Sequence, residues 1–187
     1  MRDLIQIVER AGGLPDFEEA AGSLYLELPK AGLPTVRAYV RMEAGYDPYD
    51  GKGPEDEDEL IMEWCRNKVQ EVYHTIFARL IKGGKIEAWR EVTAGPDWEP
   101  SHWTHPGIYW CWKKGYAEAY WGDPHNHEGA GTHKFLLHAY LPVEHIDWIQ
   151  TLMMNANPDY EEEYEVRVKK NSPIDIVSVE KLGEFHA

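Results

Sequence analysis

KIEAWREV, residues 85–92, alternates in the manner of a β-strand. Ile86, Ala88, Arg90 and Val92 fall on one face, and Glu87, Trp89 and Glu91 on the other. Downstream, GIYWCW (107–112), HKFLLHAYL (133–141), EEYEVRVKK (162–170) and PIDIVSV (173–179) also read as strands. HKFLLHAYL is apolar enough for a central one, and the last two flank an Asn-Ser-Pro turn. KKGYAEAYW (113–121) predicts a short helix, and PVEHIDWIQTLMMN (142–155) a turn and a second one. A Pro-rich loop with His102 and His105, and a Gly/His loop at 122–133, connect these runs.

Upstream the pattern changes. Ile61, Trp64, Val69, Val72, Ile76 and Leu80, with Leu60, Cys65, Tyr73 and Phe77 beside them, recur at three-to-four-residue spacing and predict a long helix over 58–81. Acids at its start and Arg79 and Lys82 near its end suit the helix dipole, and Gly83-Gly84 are expected to stop it. A short amphipathic helix is expected over 2–10, ended by Gly12-Gly13. SLYLEL (23–28) and TVRAYV (35–40) read as short strands separated by Pro29, Gly32 and Pro34, before a turn-rich acidic stretch at 44–59. Helices early and clustered strands late predict an α+β fold in a single domain over 1–187, with an N-terminal region to residue 84 and a β-rich core from 85 to 180.

Composition narrows the class of function. The 187 residues are 43% apolar and 12% aromatic, with a mean hydropathy of −0.58, as in a folded, soluble chain. No apolar run approaches the ~20 residues that cross a bilayer. The N-terminus lacks the apolar segment of a signal peptide, so a cytoplasmic location is expected. Thirty-three acids against 19 bases leave a net charge of −14, which disfavours nucleic acid and anionic membranes as partners. Cys65 and Cys111 belong to no C-x-x-C pair and are expected to be reduced.

Four features could carry chemistry. Arg90 shares its strand face with aliphatic residues, and a guanidinium there must find an anion, either an acid of the protein or a ligand phosphate. Glu163 and Glu165, at i and i+2 of an extended strand, would project from one face roughly 7 Å apart, serving one bond together or simply facing water. Tyr109, Trp110, Trp112, Tyr116, Tyr120 and Trp121 crowd one segment, as core or as a surface for a flat heterocycle. His125-x-His127 followed by Glu128 could hold a divalent metal, although no second ligand pair appears.

Taken in order, AWREV with Arg90 and EEYEVRV with Glu163 and Glu165 resemble the ADP-ribosyltransferase fold, in its arginine-type branch. The resemblance spans about 85–180, and the helical region ahead of it is similar to that of many toxin-type members. The Ser-Thr-Ser of that branch is replaced by Tyr-Trp-Cys-Trp at 109–112. The resemblance implies a split β-sandwich holding NAD+ in a cleft, and mono-ADP-ribosyl transfer to a protein acceptor or NAD+ glycohydrolysis, with no metal. Glu165 would stabilise the oxocarbenium-like ribose, Glu163 would orient or deprotonate the acceptor, Arg90 would hold the pyrophosphate, and Tyr109, Trp110 or Trp112 would stack on nicotinamide. Two other classes stand beside it. One is a non-catalytic acidic interaction protein, such as a phage or bacterial inhibitor that imitates nucleic acid. The other is a metal-dependent hydrolase using His125 and His127.

Overall fold

The computed structural model describes Gln6 and residues 16–95, 97–99, 106–119 and 133–184. The helix expected over 2–10 and the loops carrying His102, His105, His125 and His127 lie outside the described residues, Gln6 (helical) excepted. The architecture is α+β, with helices and one antiparallel sheet. No described helix is long and apolar enough to cross a membrane. The chain divides into two compact units.

The helical unit runs from Asp16 to Arg79 and from Trp148 to Glu162. Helix α1 (Phe17–Glu27) is capped by Asp16, whose Oδ1 accepts from the Glu19 N–H at 3.1 Å. Helix α2 (Gly32–Glu43) ends in a Schellman turn. Tyr46 N–H reaches the Arg41 carbonyl and Gly45 N–H the Met42 carbonyl, with Gly45 at φ +80°. Helix α3 (Glu57–Arg79) buries Ile61, Cys65, Val69, Tyr73 and Ile76 on one stripe. Glu57 in its first turn is bonded to Arg41 and lies 3.1 Å from Arg37 Nε, which ties α3 to α2. Helix α5 (Trp148–Ala156) completes the unit, and the Tyr73 ring packs against Phe17, Phe77 and Trp148.

Two expected strands are therefore helices. In SLYLEL a strand would bury Leu24, Leu26 and Leu28 together, yet Leu24 is buried while Leu26 is 81% exposed. The buried set Ala20, Ala21, Leu24 and Leu28 has helical spacing that begins upstream of the apolar run. In TVRAYV the same holds for Val36 and Val40, and Pro34 stands in the first turn of α2, where its missing N–H costs no helix bond.

In the sheet unit, β1 (Ile81–Lys82) and β2 (Lys85–Ala94) form a hairpin. Gly83 and Gly84, at φ +57° and +78°, are its two-residue turn, not the stop of a helix, because positive φ at both central residues is what a type I′ turn requires. Then follow β3 (Tyr109–Cys111), α4 (Lys114–Ala119), β4 (His133–Pro142), β5 (Glu165–Arg167) and β6 (Ile176–Glu184). The strand order is β5-β3-β2-β4-β6, with β1 also beside β2 and every pairing antiparallel. β2 and β4 pair over ten residues, setting Ile86 against Leu141, Ala88 against Ala139 and Val92 against Phe135 on a buried face. On the other face Ala117 and Tyr116 of α4 cover Cys111, Leu136 and Trp89. The strand expected over 162–170 is cut to three residues. Glu163 ends a 3-10 turn (Glu161–Glu163), and Tyr164 at φ +52° breaks the extended run before β5.

Candidate functional site

Arg90 lies opposite Leu137 of β4, between Ala88 and Val92 on the apolar face. Its guanidinium finds an acceptor where β2 and β3 part. Val168 N–H donates to the Ile108 carbonyl and Trp112 N–H to the Tyr164 carbonyl, at 2.9 and 3.1 Å. The even-numbered residues of this segment thus direct their backbone groups at β5, and the odd-numbered ones at β2. β2 meets β3 at the single pair Trp89 and Cys111. Beyond that pair, the Tyr109 carbonyl accepts from Arg90 Nη1 at 2.6 Å. Gly107, at φ +100°, gives the guanidinium room, since a Cβ there would stand 2.6 Å from Arg90 Cζ. Burial holds the Arg90 pKa below its ordinary value, while Tyr109 and Glu165 pull the other way. The buried Nε has no hydrogen-bond partner among the described residues.

Glu165 opens β5 opposite Cys111. Its Oε1 accepts from Arg167 Nε at 2.8 Å, and the Arg167 guanidinium stands 4.7 Å over the Tyr109 ring. Burial pushes the Glu165 carboxyl above the ordinary glutamate range. Arg167 opposes that shift, Glu163 adds to it, and Arg90 opposes it more weakly. Glu163 is not on the strand, and the extended E-x-E geometry is replaced by a turn, a left-handed residue and a strand start.

The aromatic residues separate by role. Trp110 is buried, and its indole nitrogen donates to the Gly107 carbonyl at 3.1 Å. Trp112 is half-buried and meets the Tyr164 ring edge-on at 5.9 Å, whereas Tyr109 is 47% exposed. Tyr116 is half-buried and meets the Tyr164 ring edge-on at 5.5 Å, and Tyr120 and Trp121 lie outside the described residues. Cys111 is a free thiol pushed up by burial to about 11, which leaves it protonated and unsuited to nucleophilic attack.

Alternation along EEYEVRVKK puts Arg167 on the same face as Glu165, because i and i+2 share a face, and the structure pairs the two. Nothing in the sequence marked Tyr164 as left-handed. Among the described histidines, His138 stacks on Trp89 with centroids 5.1 Å apart and places Nε2 3.0 Å from Glu87 Oε1. No group of three or more His, Cys, Asp or Glu among the described residues is placed to hold a metal ion, and His125 and His127 lie outside them. The β2–β3–β5 junction thus gathers Arg90, Tyr109, Glu163, Glu165 and Arg167 around a break in the sheet. No protein-family model, curated protein or solved structure matches this chain.

Proposed function

We propose that the sheet unit is a divergent ADP-ribosyltransferase-like core that consumes NAD+, as a mono-ADP-ribosyltransferase or an NAD+ glycohydrolase. The observation that carries this reading is the strand register that brings Arg90 and Glu165, far apart in the chain, to one junction: Trp89, next to Arg90, pairs with Cys111, and Cys111 pairs with Glu165. The single residue pair joining β3 to β2 supports it too, because the split form the resemblance implies needs strands that part.

The chemistry follows from the charges. When the nicotinamide–ribose C–N bond breaks, nicotinamide leaves with the bonding electron pair and positive charge develops on the ribose. Glu165, once ionised, stabilises that charge, and its burial strengthens the effect. Glu163 takes the proton from the attacking group, a guanidine nitrogen of a protein acceptor or water. Arg90 offers its remaining N–H donors to the pyrophosphate. Tyr109 and Trp112 are the rings accessible for stacking.

Chromatographic measurement of nicotinamide release from NAD+ tests the reading. Wild-type protein is expected to turn over, and Glu165→Gln to lose about a hundredfold or more. A folded wild type that neither releases nicotinamide nor binds millimolar NAD+ removes it.

A second reading, the acidic interaction protein, is favoured by one feature of the helical unit. Tyr39, Met42, Tyr46 and Tyr49 are all exposed, and the acidic run 54–59 follows them in the chain. It is tested by salt-sensitive capture of a basic polypeptide such as polyarginine, unchanged by Glu165→Gln.

A further inference from the structure

We propose that Tyr164 is the positioning residue of this site, a clamped left-handed link that holds the Glu163 and Glu165 carboxylates as a pair. The proposal rests on the reading above for what the carboxylates do, and on geometry alone for how they are held.

In an unbroken strand, Glu163 and Glu165 would stand side by side on one face. Here Glu163 closes a 3-10 turn, Glu165 opens β5, and the residue between them has φ +52°. That region suits glycine, and a bulky aromatic residue adopts it only where its surroundings over-determine it. The surroundings do so from one short segment. Trp112 N–H donates to the Tyr164 carbonyl at 3.1 Å, which fixes the backbone. The ring is held edge-on by Trp112 at 5.9 Å and by Tyr116 at 5.5 Å, with planes 63° and 87° apart. The Lys113 ammonium lies 3.3 Å from the ring centroid.

All three clamping residues sit at the end of β3 or the start of α4, so that corner sets the direction in which the chain enters β5. The consequence falls on the flanking acids. Glu163 acts electrostatically on Glu165 and resists its ionisation. Loss of the Lys113 cation can by itself only raise the Glu165 midpoint, so a lowered midpoint in a Lys113 variant reports the clamp.

The test combines the titration of Glu165, followed by carboxyl carbon NMR and assigned with Glu165→Gln, with the rate of nicotinamide release. Tyr164→Gly accepts the left-handed conformation but removes the ring. Lys113→Met loosens the clamp while leaving residue 164 intact, and Tyr164→Phe keeps the clamp. The expected result is that Tyr164→Gly and Lys113→Met move the Glu165 midpoint down toward ordinary glutamate and lower kcat about tenfold. KM for NAD+ should change little, and Tyr164→Phe should restore both properties. A folded Tyr164→Gly with the wild-type midpoint overturns the proposal. If that variant does not fold, a wild-type midpoint in Lys113→Met overturns it equally. If wild type releases no nicotinamide, the functional reading fails, while the midpoints alone still decide for or against the positioning role.

Discussion

Arg90 Nη1 lies 2.6 Å from the Tyr109 carbonyl, so a side chain of β2 occupies a position that a backbone N–H fills in an unbroken ladder. The arrangement explains how a cation persists between Ala88 and Val92. The guanidinium donates to the Tyr109 carbonyl and in return gains an acceptor and the field of Glu165.

Arg90→Lys should destabilise the protein by about 1–3 kcal/mol, because an ammonium cannot lie flat against Gly107 and reach the same carbonyl. Gly107→Ala should cost about 1–3 kcal/mol through overlap with the guanidinium and strain at positive φ. Urea unfolding of both variants, of Arg90→Met, and of Gly107→Ala combined with Arg90→Met, checks this. The double variant should show less than the sum of the single losses, since one substitution removes the other's clash.

Glu165 predicts a pH dependence of defined sign. Its folded pKa is raised, so the folded state binds more protons than the unfolded one between the ordinary glutamate pKa and the raised value. Stability contributed by this group must fall as pH rises through that window. Wild type should show this decline in chemical denaturation at a series of pH values, and Glu165→Gln should lack it. A rise across the window would contradict the assignment.

The two thiols should be inert in the native state. Burial pushes both Cys65 and Cys111 up to about 11. Reaction with a thiol-specific disulfide reagent at pH 8 should therefore be slow, and should reach two equivalents per chain only when denaturant is added. Fast native labelling of either cysteine would show that its cover opens.

Glu57 anchors the start of α3 to two arginines of α2, and its carboxylate is largely shielded from water. Glu57→Gln should lower stability by about 1–2 kcal/mol in thermal melts, whereas Glu59→Gln, exposed in the same turn, should change it by about 0.5 kcal/mol or less.

Part of the fold was legible in advance. The stripe Ile61, Cys65, Val69, Tyr73 and Ile76 repeats over enough turns to exclude any period but that of a helix, and the alternation in 85–92 and 133–141 is long enough to assign strands. SLYLEL and TVRAYV are six residues each, a length over which periods of two and of four coincide at alternate apolar positions. Gly83-Gly84 punctuates the chain after a helix or within a hairpin equally well, until the partner of Lys85 is known. At the site, alternation placed Arg90 on the apolar face and Glu165 beside Arg167. The break at Tyr164 was hidden, because EEYEVRV reads as one continuous strand.

Residue order and periodicity alone determined that this chain is α+β, that α3, β2 and β4 exist, and that a cation and two acids lie on its strand-forming half. Tertiary structure alone decided that β3 touches β2 at one pair, that Arg90 fills the resulting gap, and that Tyr164 turns left-handed beneath Trp112, Lys113 and Tyr116. The physical reason is one of range. Periodicity records which side of an element is buried, while a backbone break and the side chain that repairs it depend on groups brought together only when distant strands pair.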